Sequence, residues 1–188
     1  MALPNVLPIA LKEWATVCHA LETGRQMLLL RKGGIYEAAG EFELENPQFL
    51  LFPTYLHQNL AMLKPNDQVG FEPRSSEPQQ IRISAGGEVT DIVQLKSRPQ
   101  MDALDAEHVW MPPLIDMRFN YKPQNPLYLM LVRAYRLHEP QVIENTVAYA
   151  GCKSWVPLEQ AIDTSSAKPV LDDSTYEAKR RLILTTLS

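Results

Sequence analysis

The sequence predicts an α+β domain: a mixed, mostly antiparallel sheet or small barrel with peripheral helices and a C-terminal helix. Three observations carry that expectation. Short aliphatic runs bounded by glycine or proline recur along the chain, as in "QMLLLRK", "FLLFP" and "LYLMLVRAYRL". Helical periodicity is concentrated near the start and in the tail. Composition is ordinary for a globular chain, with 188 residues, 45% hydrophobic and 21% charged.

Near the start, Leu11, Trp14, Ala15, Cys18 and Leu21 recur at helical spacing and predict an amphipathic helix over about 9–22, ended near Gly24. A strand competes there, because Trp14, Thr16 and Cys18 also alternate with Ala15 and Val17. "QMLLLRK" then reads as a strand inside the sheet, and "FELENPQFLLFP" as two short strands around an Asn46-Pro47 turn. Thr54 can cap a short helix over about 55–64, with Tyr55, Leu56, Leu60 and Leu63 inward, before Pro65 stops it. "QIRISAGGEVTDIVQLK" reads as a hairpin turning at Gly86-Gly87.

"MDALDAEHVW" and "PPLIDMRFNYK" predict two short helices, the second entered through Pro112-Pro113. Residues 127–137 predict a central strand, apolar on both faces at its start. In the tail, Ser174 followed three residues on by Glu177 reads as a capping box opening a helix near 174. The linker-like "DTSSAKPVLDDS" before it divides the chain into a single α+β domain over 1–168 and a helical extension over 169–188.

Charge and cysteine usage exclude several classes. The net charge is -4 and the pI about 5.6, so any nucleic-acid surface must be a local patch. Cys18 and Cys152 are far apart and belong to no Cys-x-x-Cys, which indicates neither a disulfide framework nor a zinc ribbon, and suggests reduced thiols in a cytoplasm. The N-terminal stretch is broken by Pro4, Pro8, Lys12 and Glu13 and does not read as a signal peptide or membrane span. The phosphate-loop, dinucleotide, hydrolase-elbow and zincin motifs are all missing. No cofactor and no metal set is predicted, and no residue earns a catalytic role.

Four local patterns could carry chemistry. In "LLLRKGGIYE", Arg31 and the amides of Gly33 and Gly34 could hold an anion. Strand alternation puts Arg31 and Lys32 on opposite faces, so they cannot clamp one phosphate together. A structural turn is the simpler reading, with the acids from Glu37 to Glu45 as partners for the cations. The acid-free stretch Met117–His138 interleaves Arg118, Lys122, Arg133 and Arg136 with Phe119, Tyr121, Tyr128 and Tyr135, a mixture suited to phosphates and unpaired bases. The bland alternative is a buried strand with snorkelling arginines. "GCKSW" offers Lys153 to a phosphate and Trp155 to a base, with Cys152 a nucleophile only if a neighbouring cation activates it. A fourth pattern, Gln94-x-Lys96, has the form of a restriction-type nuclease strand but needs Glu72 or Glu77 as a further acid.

Taken together, "LKEWATVCHALETGRQMLLLRKGGIYE", "FLLFPTYLHQ", "HVW", "NPLYLMLVRAYRL" and "GCKSW" resemble a bacterial family, common in cyanobacteria, of the domain-of-unknown-function class numbered eighteen hundred and two. The resemblance covers about residues 9–160. It implies no established activity, only an association of some relatives with restriction-type nuclease domains. An acid precedes the histidine of "PTYLHQ" in the family pattern, where this chain has Leu56, which leaves His57 and Gln58 as binding candidates rather than a catalytic pair. The order helix, glycine, strand ending in Arg-Lys, then antiparallel strands also resembles the small barrels of the PUA and ASCH type, which bind RNA or modified bases.

The candidate nucleic-acid or anion-binding positions are therefore Arg31, Gly33, Gly34, Glu37, His57, Gln58, Arg133, Lys153 and Trp155. The leading expectation is a cytoplasmic nucleic-acid or nucleotide-binding module with no membrane partner. A metal-dependent nuclease relative is one alternative. The other is a non-catalytic scaffold docking a protein partner through Lys179, Arg180, Arg181, Leu182, Ile183 and Leu184 of the C-terminal helix.

Overall fold

The computed structural model describes residues 2–32, 36–38, 41–68, 74–151 and 153–188, with backbone only for 36–38 and 41–43. The chain is α+β, as expected. One seven-stranded sheet is built from β1 (Val6–Trp14), β2 (Leu28–Arg31), β5 (Gln48–Thr54), β6 (Gln80–Leu95), β7 (Leu127–Glu144), β8 (Trp155–Asp163) and β9 (Lys168–Pro169). Its path runs β2-β7-β6-β5-β1-β8, with β9 pairing β7 beyond β2. Only β1 and β5 run parallel. Strands β2 and β8 end the path without pairing each other, so the sheet is open rather than a closed barrel. The short strands β3 (Tyr36–Ala38) and β4 (Glu41–Glu43) form a separate hairpin.

Four α-helices accompany the sheet among the described residues: α1 (Ala15–Glu22), α2 (Arg98–Asp102), α3 (Pro112–Asn120) and α4 (Asp173–Leu187). The larger core cluster joins one side of the sheet to residues from all four, including Leu21, Met101, Leu114 and Ile183. A smaller cluster, with Leu7, Leu50, Phe52, Ile81, Tyr135 and Val156, is made by strands and short connecting segments, with no α-helical residue in it. The cleft described below opens beside this second cluster.

The N-terminal segment divides where one helix was expected. Residues 6–14 form a strand and the helix begins only at Ala15. The helical spacing of Leu11, Trp14, Ala15 and Cys18 spans the junction, and burial of Leu7, Ala10 and Leu11 against β5 and β8 decides the strand half. Pro8, which has no N–H to give, falls at the register shift between Leu7 and Ile9. Gly24 closes α1 at φ +73°, as its position predicted.

Three further expectations are corrected. Gly86 and Gly87 do not turn; they lie inside the 16-residue strand β6. A Cβ on Gly86 would stand 2.8 Å from the Phe49 carbonyl oxygen, and one on Gly87 2.5 Å from Val132 Cγ1. The glycines serve close approach of neighbouring strands, the other common use of glycine within a sheet. Residues 55–64 hold only a 3-10 turn at Leu60–Met62, capped by Asn59, and Leu56 and Leu60 are exposed while Leu63 is buried. Strand β2 ends the sheet path instead of lying inside it, although Leu28, Leu29 and Leu30 are all buried as members of the larger core cluster.

The tail forms the expected helix, but its cap is Asp172, whose Oδ1 accepts from Thr175 N at 2.9 Å, rather than Ser174. Hydrogen bonds from Ser174 and Thr175 hold the Asp172 carboxyl well below the usual carboxylate range. Tyr176, Ile183 and Leu187 are buried in the larger core, so the expected docking helix spends this part of its apolar face on its own domain. The Tyr176 hydroxyl lies 2.6 Å from Thr90 Oγ1, Arg180 Nε bonds Asp91 at 2.6 Å, and Lys179 bonds Glu107 at 2.6 Å. No described helix is long and apolar enough to cross a membrane.

His108 is fully buried beside Trp110, whose backbone N–H donates to its Nδ1 at 3.3 Å, and its Nε2 has no acceptor in hydrogen-bond geometry. Burial first, and then the Lys64 charge, push its pKa down to about 4, against weaker opposing effects from Met101 and Asp105. An unfolded histidine titrates near 6.5, so between these values the unfolded chain holds a proton that the native state refuses. Stability therefore falls as pH drops from about 6.5 to about 4, by about 3 kcal/mol over the window. Urea midpoints measured across that range should show the slope in the native sequence and lose it in His108→Gln. Equal slopes in both would place the effect elsewhere.

Candidate functional site

A cleft of about 760 Å³ opens between β1, β5, the end of α3 and residues 145–151 and 153. Its size suits one small ligand. Each wall follows from local structure. Lys12 reaches it from β1, where its Nζ donates to the carbonyls of Tyr149 and, at 3.0 Å, Gly151, while lying 5.7 Å from the Phe52 ring centroid. That one side chain fixes the 149–151 turn to the sheet, and with it the approach to Lys153.

Glu77 fixes the opposite loop. Its carboxylate accepts from Tyr55 N at 3.0 Å and Leu56 N at 2.9 Å, which sets the turn carrying Leu56 and His57 at the cleft. Phe52 and Tyr149 meet edge to face at 5.7 Å beneath, and the Tyr149 hydroxyl accepts from Glu159 N at 2.9 Å. Exposed Leu56 and Val147 supply apolar surface at the cleft, and exposed Lys153 supplies charge.

Arg118, on the last turn of α3, completes the lining. Its Nε is enclosed without a hydrogen-bond partner, and its guanidinium makes no hydrogen bond or ion pair among the described residues. Burial lowers its pKa, which the Glu13 charge opposes and the Arg31 charge supports. Glu13 itself is already engaged by Arg31 at 2.7 Å. Two guanidiniums thus share the field of one buried carboxylate.

The predicted positions fare unequally. His57 and Lys153 line the cleft. Arg31 pairs with Glu13 of β1 and also donates to the Lys12 carbonyl at 3.3 Å; the side chains of Glu37, Glu41 and Glu43, expected among its partners, lie outside the described residues. Lys32 turns the other way, capping the carbonyls of Arg118 and Phe119 at the end of α3 at 3.1 and 2.6 Å, so the two cations do diverge. Gln58 caps a helix: its Oε1 accepts from Thr16 N at 2.9 Å at the start of α1, where Trp14 offers no side-chain cap. Arg133 pairs with Asp173 and stacks on Tyr176, holding α4. Trp155 packs edge to face on Phe49 at 5.4 Å. Gly33 and Gly34, the side chain of Glu37, and Cys152 lie outside the described residues.

Glu77 figured only as an acid for the Gln94-x-Lys96 pattern, and Lys12 had no local signal as a site residue. Arg118 did have one, in the acid-free stretch 117–138, but that stretch divides: Arg136 bonds the Glu22 carbonyl at 2.6 Å and Arg133 goes to α4. The groove around Gln94 and Lys96 is lined by residues such as Lys32, Phe119 and Gln124, with no carboxylate among the described lining. Asp91 is taken by Arg180, whose hydrogen bonds, with that of Thr90, outweigh burial and keep the carboxyl low. Glu77 is spent on backbone amides, and no three His, Cys, Asp or Glu among the described residues are grouped to hold a metal.

Fold and site together define an α+β domain with a cation-lined, apolar-walled cleft. The chain belongs to the family described as Domain of unknown function (DUF1802), whose model matches residues 10–181 and so takes in the first half of α4. No curated protein matches the chain. Among solved structures, it is similar to ASCH from Zymomonas mobilis, at 11% identity and TM-score 0.45, covering 93% of this chain and 94% of that one. A serine-to-alanine mutant of the same ZmASCH protein aligns at 12% identity and TM-score 0.45, covering 97% and 99%. Likeness at that level is no ground for a shared function.

Proposed function

We propose that this domain binds single-stranded nucleic acid or nucleotides in the cleft. The observation that carries the reading is the convergence of Lys12, Arg118 and Lys153, from three separate elements, on one cleft with the apolar surface of Leu56 and Val147 and with His57 at the same opening. Cations attract phosphates of any sequence, and apolar surface receives the face of an unpaired base. The net charge of -4 makes this a local effect rather than a consequence of a basic protein.

The test is fluorescence anisotropy of labelled single-stranded and duplex oligonucleotides across a salt series. Single strands should bind in preference to duplex, and affinity should fall linearly in log–log form as salt rises. The double variant Arg118→Gln/Lys153→Gln should lose about tenfold or more in affinity and flatten the slope by about 1. Arg31→Ala/Lys32→Ala is a poor test of binding, because both side chains hold the fold together. Absence of binding at about 50 mM salt, or equal affinity in the Gln double variant, would remove the proposal.

A further inference from the structure

We propose that the cleft recognises a phosphomonoester, that is, a terminal phosphate rather than the internal phosphodiesters of a strand, with Arg118 as its principal contact. This rests on the nucleotide-binding reading above and narrows its ligand. Three arginines among the described residues enclose Nε without a hydrogen-bond partner: Arg31, Arg118 and Arg133. Two of them place a carboxylate on another nitrogen, Glu13 for Arg31 and Asp173 for Arg133. Arg118 alone of the three has no ion pair among the described residues, and it is the one that lines the cleft.

A guanidinium stays charged at neutral pH, and a partly buried charge without a partner is costly unless a ligand supplies one. Glu13 makes no hydrogen bond or ion pair with Arg118; its carboxylate bonds Arg31 and Trp14 N instead. The missing group is therefore an anion, and the planar fork of a guanidinium matches phosphate oxygens in pairs.

Two features favour a terminal phosphate. A phosphomonoester carries about -1.5 to -2 charge at neutral pH, where a phosphodiester carries about -1. Arg118 and Lys153 on the same cleft match the larger charge. The second feature is space. A half-buried arginine at the end of α3, in a cleft of about 760 Å³, accommodates the end of a chain or one free nucleotide, whereas an internal phosphodiester must bring chain in and lead it out.

A nucleoside monophosphate and the phosphorylated end of a strand share this chemistry, and competition binding separates them. The probes are adenosine, adenosine 5′-monophosphate, and one oligothymidylate with 5′-phosphate, 3′-phosphate or hydroxyl at both ends. A phosphorylated end should bind about tenfold more tightly than the hydroxyl-ended strand, and the monophosphate should compete where adenosine does not. Arg118→Gln should erase the preference for a phosphorylated end, while Arg118→Lys, which keeps charge without the fork, should retain part of it. Thermal melts of both variants confirm that the fold is intact. Equal affinity for phosphorylated and hydroxyl ends would overturn the terminal-phosphate inference and leave cleft binding standing. No binding by any probe would overturn both.

Discussion

Truncation after Lys168, which removes α4, unfolds the domain. Tyr176 is 2% exposed, Ile183 0% and Leu187 8%, so all three sit in the core rather than on an appendage. Burying side chains of that size contributes about 1.5–3 kcal/mol each, or about 5–9 kcal/mol together. That matches the whole stability of a typical domain, about 5–15 kcal/mol. Truncation also strips Asp173 from Arg133, leaving a buried guanidinium without its partner, and leaves Asp91 without Arg180.

Far-UV circular dichroism and urea titration of residues 1–168 should show loss of the cooperative transition. Single substitutions give a graded version of the same result. Ile183→Ala should cost about 2–5 kcal/mol, while Leu182→Ala, at a position 54% exposed, should stay within about 0.5 kcal/mol. A truncated protein that melts like the full chain would make α4 a detachable extension and return it to the role of docking element.

Gly86→Ala destabilises the protein by about 2–3 kcal/mol. The obstacle is backbone: the new methyl would press on the Phe49 carbonyl oxygen at 2.8 Å, on the neighbouring strand β5, and a carbonyl in a sheet ladder cannot swing aside. Gly87→Ala meets a buried valine methyl, Val132 Cγ1, and belongs to the same class. Gly151 provides the contrast, because a Cβ there meets nothing within 4 Å and only its φ of +87° opposes alanine. That backbone strain is worth about 1 kcal/mol. Chemical unfolding of the three variants ranks them. A Gly86→Ala protein as stable as the native one would mean spare room at 86–87, as at the tip of a hairpin, and would contradict the continuous strand.

Much of the scaffold was legible in the sequence because it depends on local pattern. Residues 127–137 carry an apolar run too long for an edge, and they lie in β7, paired along both sides. Pro112-Pro113 opens α3, and the tail's acids and cations give α4 within a residue or two. The errors fell where one signal has two physical causes. A glycine pair marks either a turn or a close approach, and only the position of Phe49 and Val132 decides between them. Helical and strand spacing coexist over 14–18, where the chain is helical from Ala15, while the sheet neighbours of β1 make the preceding residues up to Trp14 a strand.

The cleft was less legible for a related reason. Lys12, Glu77, Arg118 and Lys153 come from four places in the chain, and no short motif links them. His57 was singled out by the family resemblance and Lys153 by the "GCKSW" pattern, whereas Gln58, beside His57, caps α1. Arg31 drew notice as a cation at a strand end beside two glycines, but its partner Glu13 is eighteen residues away on another strand and invisible to local pattern. An arginine's role is set by whether a carboxylate reaches it. That is a tertiary fact for Arg31, Arg133 and Arg118 alike.

The central claim is that ligand occupies the cleft between β1, β5 and residues 145–151 and 153. Photo-crosslinking of a single-stranded oligonucleotide carrying 4-thiouridine, followed by mass spectrometry of the adducts, tests it most directly. Adducts on Leu56–His57 and on residues 147–151 and 153, weakened in Arg118→Gln/Lys153→Gln, are the predicted result. Adducts confined to the groove at Gln94 and Lys96, or no adducts while binding persists, would contradict it.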